Sequence, residues 1–163
     1  MAANVLVVAS LTAGSQHLLD ALKVRAERSP IRITLVMPAQ GPGLGGRESQ
    51  RAALEAALAG MREAGLQADG VVGDANPMDA VAESFDPARH DEVIVCTLPG
   101  RSSKWLQHDF PHRVARFTGV PVTHVVADDL RPAHATSPAP AHERQPLGPL
   151  GVLSWGGKQP GSR

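Results

Sequence analysis

Aromatic residues are scarce in this sequence, and tyrosine is absent. Phe, Trp and Tyr together make up 3% of the chain, whereas hydrophobic residues as a whole make up 42%. A core must therefore be built from Ala, Val and Leu side chains, and a sheet sandwich that depends on aromatic plugs is not expected. The 163 residues suit one domain with a short appendage.

The chain also has no net charge and only one cysteine. The 16 basic residues balance 16 acidic residues, so no overall attraction to nucleic acid or to anionic lipid is expected. The single cysteine, Cys96, excludes an internal disulfide framework and a cysteine-based zinc site. No apolar run approaches the roughly 18 residues of a membrane span, and no basic segment precedes the first apolar run as in a signal peptide. We therefore predict a cytoplasmic protein that binds neither membrane nor nucleic acid.

Short apolar runs alternate with helical patterns along residues 5–126. The runs are β-branched and mostly unbroken, which is typical of strands covered on both faces; they span residues 5–9, 31–37, 93–96 and 121–126, with a weaker edge strand at 67–72. Helical patterns span residues 15–28 and 47–64, a third helix begins at Asn76-Pro77, and Pro111 breaks a fourth over 103–118. In that last pattern Leu106, Phe110, Val114 and Phe117 are predicted to share one buried side.

This alternation predicts an α/β fold of flavodoxin-like type, with one doubly wound parallel sheet and helices on both faces. The strongest runs, the first and fourth strands, should be central, which gives the order 3-2-1-4-5. Ligands bind such sheets beyond the carboxyl ends of the strands, where the order reverses. The loops that meet there are Ser10 to Ser15 and Thr97 to Lys104.

The second of these loops leaves a buried strand and enters a helix. Its backbone amides can cradle a phosphate, with Gly100 allowing close approach. Alternatively, its serines only cap the following helix. The residues that we predict to bind a cofactor are Ser10, Thr12, Met37, Thr97, Gly100, Arg101, Ser102, Ser103 and Lys104.

Three other motifs favour structural over functional interpretations. Residues 41–46 match G-x-G-x-x-G but follow the second strand, whereas a dinucleotide fingerprint follows the first strand of its unit, so a Gly/Pro loop is predicted. His108 and His112 have the spacing of two metal ligands on a helix, but Pro111 interrupts that helix, and we predict exposed histidines and no metal. Cys96 is predicted to be a buried hydrophobic residue and not a reactive thiol. No catalytic constellation is recognised.

The pattern stops at Asp128. Residues 128–163 contain six of the 14 prolines and five of the 16 glycines, with no sustained period, so we predict a flexible tail after an α/β domain of residues 1–127. Within the tail, residues 149–155 are apolar enough to dock on another surface.

Over about residues 4–127, the sequence resembles the universal stress protein family. The features that match are residues 5–9 with the following helix, the turn Gly73-Asp74-Ala75-Asn76-Pro77, residues 93–97 running into Gly100-Arg101-Ser102, and the closing segment 112–125. The resemblance implies the fold above, which is related to that of the adenine nucleotide alpha hydrolases. It also implies a homodimer formed through the last strand, from Pro121 to Val126.

The sequence departs from the ATP motif of that family. ATP-binding members carry Asp at the end of the first strand, where this chain has Ser10, and G-x2-G-x9-G-[ST] after the fourth strand. Counting from Gly100, the second glycine position holds Ser103 and the third holds Arg113. The resemblance therefore implies a degenerate site for an ATP- or AMP-type nucleotide or another anion.

The leading hypothesis from the sequence is a dimeric, non-enzymatic regulatory domain of the universal stress type. Two alternatives stay open. One is a small nucleotide-hydrolysing enzyme of the related fold, in which Lys104 or His108 assists phosphate chemistry. The other is a dimeric interaction module without a ligand.

Overall fold

The computed structural model of the chain describes residues 1–40, 44–100 and 103–128. Within these residues, strands and helices follow one another along the chain in the predicted order. The strands are β1 (Ala3–Val8), β2 (Ile31–Pro38), β3 (Gln67–Gly73), β4 (Glu92–Thr97) and β5 (Val122–Val126). The helices are α1 (Gln16–Arg28), α2 (Leu44–Glu63), α3 (Pro77–Ser84), α4 (Lys104–Gln107) and α5 (Phe110–Thr118).

The five strands form one parallel sheet in the order β3-β2-β1-β4-β5. β1 pairs with β2 on one side and with β4 on the other; Val5 lies opposite Ile33 and Glu92. The predicted fold class and strand order are confirmed. The order in which strands are added to the sheet reverses between β1 and β4, so the loops that follow these two strands diverge and leave a crevice.

Both faces of the sheet are covered, as the continuous apolar runs predicted. Successive residues of β1 point to opposite faces, so Val5 and Val7 enter the core beneath α1 and α2, whereas Leu6 and Val8 enter the core that includes α3 and α5. All four are fully buried. Burial on both faces explains why β1 shows no polar alternation.

The α3 start matches its sequence signals. Asn76 caps the helix, its Oδ1 accepting a hydrogen bond from the Met78 amide at 3.0 Å, and Pro77 occupies the first turn. In contrast, α2 begins at Leu44, three residues before the predicted start. Residues 41–43 of the G-x-G-x-x-G match lie outside the described residues.

The region from residue 103 to 118 divides into α4 and α5, as Pro111 predicted. Asp109 separates them in the left-handed conformation, with φ of 54°. Phe110 and Val114 are buried as predicted, but Phe117 is 52% exposed. Its predicted place in the buried stripe is wrong, because the stripe continues through Thr118, four residues after Val114. The hydroxyl of Thr118 donates a hydrogen bond to the Val114 carbonyl at 2.8 Å.

The described chain ends beside the crevice. Ala127 is fully buried, and its amide donates to the Thr97 carbonyl at 2.9 Å. The predicted tail after Asp128, with its apolar segment 149–155, lies outside the described residues. In the part that the structure describes, no helix is both long and apolar enough to cross a membrane.

Candidate functional site

A cavity of about 540 Å³ occupies the crevice at the carboxyl ends of β1 and β4. Five of the predicted site residues line it: Ser10, Thr12, Thr97, Ser103 and Lys104. Residues that the sequence interpretation missed complete the lining: Leu11, Ala39, Gln40, Ala75, Cys96, Leu98 and Trp105. Two of these residues, Ala39 and Gln40, follow β2, and Ala75 follows β3. The sequence could have indicated them, because the carboxyl ends of all strands in a parallel sheet lie at the same edge.

The other predicted residues are not brought into this lining. Met37 lines a separate cavity between α1 and α2. Gly100 shapes the loop instead: its φ is +22°, and its carbonyl accepts a hydrogen bond from the Ser103 amide at 3.1 Å. Arg101 and Ser102 lie outside the described residues.

Thr12 ties the loop after β1 to the end of β4. Its buried Oγ1 donates to the carbonyl oxygen of Cys96 at 3.0 Å. Because a carbonyl can only accept, the one hydroxyl proton of Thr12 is engaged within the protein. Thr12 thus shapes the crevice and is left with acceptor capacity toward a ligand.

Thr97 connects the crevice to the edge strand β5. Its Oγ1 lies 2.7 Å from Nε2 of His124. Burial lowers the pKa of His124, so the neutral ring predominates at neutral pH. In the tautomer whose Nε2 carries no hydrogen, Thr97 must donate to it, and its proton is then engaged as well.

Ser10 retains a donor. Its Oγ accepts a long hydrogen bond, 3.4 Å, from Nε2 of Gln50, which also donates to the Pro38 carbonyl at 2.9 Å. A hydroxyl that accepts from Gln50 keeps its own proton to donate elsewhere. Ser10 is half-buried and lines the cavity, so this donor is within reach of a ligand.

Lys104 supplies the charge of the site. It is exposed at the start of α4, and no carboxylate accompanies it among the described lining residues. The neighbouring Trp105 packs on Phe110 with ring centroids 4.9 Å apart, which holds α4 against α5. One cation without a lining carboxylate favours a neutral or anionic occupant.

Cys96 forms part of the floor and is 1% exposed. Burial raises the pKa of its thiol, and the neighbouring side chains of Thr12 and Ser15 only partly oppose that effect. The thiol is therefore protonated at neutral pH, in agreement with the predicted buried, unreactive cysteine.

The two histidines of the metal-like spacing are exposed and lie at the α4–α5 junction. Nδ1 of His112 contacts Oδ1 of Asp109 at 3.1 Å. Over residues 1–40, 44–100 and 103–128, no group of three or more His, Cys, Asp or Glu side chains is close enough to hold a metal ion.

No protein-family model and no curated protein matches the chain. Among solved structures, a protein of the universal stress protein family from Burkholderia pseudomallei matches with 20% identity, 75% of this chain, 94% of that chain and a TM-score of 0.49. A universal stress protein in complex with cAMP matches with 23% identity, 76% of this chain, 96% of that chain and a TM-score of 0.48. At these identities the similarity to universal stress proteins concerns the fold.

Proposed function

We propose that this chain is a cytoplasmic regulatory domain of the universal stress type that binds a nucleotide, or another small anion, in the β1/β4 crevice and does not turn it over. One observation carries the proposal: a cavity of about 540 Å³ lies at the point where the strand order reverses, with Lys104 on its lining. That volume is within the range of small-molecule sites.

The hydrogen bonds of the site support a ligand held differently from ATP in the family motif. Thr12 is engaged with the Cys96 carbonyl, and Thr97 contacts His124. Ser10 and Lys104 are then available to donate to the ligand, and Gln40 and Trp105 of the same lining also carry N–H donors. An adenine nucleotide with one phosphate suits this set better than a triphosphate, because Lys104 is the only cation on the described lining.

The test compares AMP with adenosine, which lacks the phosphate. If AMP binds the crevice, saturating AMP at about a hundred times its Kd should raise Tm by about 5–10 °C, because binding to the folded state stabilises it. Lys104→Ala should weaken AMP binding by roughly fivefold, since it removes one charge-assisted hydrogen bond at an exposed position. Adenosine binding should not change in that variant. Isothermal titration calorimetry measures all of these affinities.

The control is Lys23→Ala, which removes the same charge from an exposed position of α1. Equal loss of AMP affinity in both variants would contradict a phosphate contact at Lys104. Phosphate release from ATP that Lys104→Ala abolishes would favour the enzyme. No thermal shift with either compound, together with dimerisation, would favour the interaction module.

We also propose that two copies associate through β5, from Pro121 to Val126, and that residues 1–127 form the domain. Within residues 1–40, 44–100 and 103–128, β5 is an edge strand that pairs only with β4, and Val126 is 39% exposed. Buried Ala127 supports a domain that ends there, because its amide is bonded to the end of β4.

A further inference from the structure

A second cavity, of about 410 Å³, lies between α1 and α2. On the side of α2 that faces it, four small residues lie between Gln50 and Met61, which also line the cavity: Ala53, Ala56, Ala57 and Gly60. The large apolar residues of the same helix, Leu54 and Leu58, are buried in the core. Because α2 presents only alanine and glycine along the middle of this side, space is left between the two helices. Met37 and Leu19 also line it.

Gln50 brings an amide group to this largely apolar space, which Ser10 and Ser15 also line. The residue is only 6% exposed and lines the cavity. Its Nε2 donates to the Pro38 carbonyl at 2.9 Å, and since a carbonyl only accepts, this contact fixes which end of the amide faces the strand. Oε1 therefore faces away from Pro38.

Oε1 has no hydrogen-bond donor among the described residues. Every fully buried side-chain nitrogen or oxygen in the described chain does have a partner, so Oε1 must keep some accessible surface, and Gln50 lines the cavity. A nearly buried amide oxygen without a donor is costly unless something hydrogen-bonds to it. The amide thus offers an acceptor, oriented by the Pro38 contact, beside a largely apolar cavity.

The cavity also differs from the crevice in charge. None of its described lining residues is charged, whereas Lys104 lines the crevice. A charged ligand would lose its hydration here without a compensating partner. The occupant must therefore be neutral.

We propose that the cavity between α1 and α2 is a second ligand site, which takes a small, neutral, largely apolar molecule that donates one hydrogen bond to Oε1 of Gln50. This proposal does not depend on nucleotide binding in the crevice. The two cavities are neighbours, because Ser10 and Leu11 line both of them.

Indole is a suitable probe, because it has an apolar body and one N–H donor, and benzothiophene is its counterpart without the donor. Titration of the full chain, followed by two-dimensional amide NMR, should give saturable indole shifts at Ala53, Ala56 and Gly60. Benzothiophene should bind about fivefold more weakly, because it leaves Oε1 without a donor. Gln50→Met should weaken indole binding to the benzothiophene level.

Two alanines of α2 give a matched pair of variants. Both are exposed, but Ala56 lines the cavity and Ala59 does not. Ala56→Leu should fill the space and raise the indole Kd at least about tenfold, whereas Ala59→Leu should leave it unchanged. The proposal is wrong if indole gives no saturable shifts, if both leucine variants bind equally, or if benzothiophene binds as tightly as indole. Shifts confined to the crevice residues would also overturn it.

Discussion

His90 holds the turn between α3 and β4 in place. Its Nδ1 accepts a hydrogen bond from the Asp86 amide at 3.0 Å, its ring stacks on Phe85 at 5.8 Å, and it is 9% exposed. Burial lowers the pKa of His90, with a further contribution from Arg89, against the opposing carboxylates of Asp86 and Asp91. Protonation would also turn Nδ1 from an acceptor into a donor and break the bond to Asp86.

These contacts predict a pH-dependent stability. Because the pKa of His90 is lower in the folded state, the unfolded chain takes up the proton first, from about pH 6.5 downward. The free energy of unfolding should therefore fall as pH decreases below that value, and this group should have no effect well above it. Burial lowers the pKa of His124 too, so its contribution has the same sign.

The measurement is urea unfolding at about pH 7.5 and about pH 5.5. His90→Asn places an amide oxygen near the position of Nδ1 and cannot be protonated in this range. The variant should lose less stability between the two pH values than the natural chain. Identical losses in the two proteins would show that His90 is not a source of the dependence.

Among the elements, β3 and α3 approach each other closely at Gly73. A Cβ added to Gly73, at the end of β3, would lie 2.7 Å from the Cβ of Ala80 in α3. Gly73→Ala should therefore lower the free energy of unfolding by about 1–3 kcal/mol, because the helix must move away from the strand. Urea unfolding measures the loss.

Gly14→Ala is the matched control for that substitution. A Cβ at Gly14 would have no heavy atom within 4 Å, and its φ is not positive. We expect its stability to stay close to that of the natural chain. If the two variants lose the same stability, the β3–α3 contact is not the reason.

The elements were the part of the fold that the sequence predicted well. Unbroken β-branched runs such as residues 93–96 indicate strands buried on both faces, and Asn76-Pro77 indicates a helix start, because these patterns depend on local chemistry. Phe117 was assigned to the wrong side because helical spacing alone does not say whether the buried stripe continues through residue 117 or 118.

The candidate site was predicted less completely than the elements. The strand order placed the loops after β1 and β4 correctly, and five expected residues line the crevice. The sequence could not show that Thr12 donates to the Cys96 carbonyl or that Thr97 meets His124, because these bonds join segments 84 and 27 residues apart. It also did not show the cavity beside Gln50, which depends on the distance between two helices.

At the scale of the whole molecule, β3 and β5 are the two edge strands of the sheet among the residues that the structure describes. We expect the β5 edge to associate. Val126→Glu should shift a dimer toward monomer, because it places a charge in the apolar part of the contact. Sedimentation velocity over a range of protein concentrations measures this shift.

The opposite edge provides the control. Val71 of β3 is 45% exposed, similar to Val126. Val71→Glu should leave the dimer intact. A natural chain that is monomeric at all concentrations, or dissociation by Val71→Glu instead, would contradict association through β5.

The position of Trp105 gives the crevice its own optical reporter. The chain has no tyrosine and only one other tryptophan, Trp155, which lies outside the described residues. Trp105 lines the crevice but not the cavity between α1 and α2. An occupant of the crevice therefore lies against this indole ring and alters its emission, whereas an occupant beside Gln50 does not touch it. With Trp155 replaced by Phe, intrinsic fluorescence would come from this one ring and would distinguish the two sites without any added label.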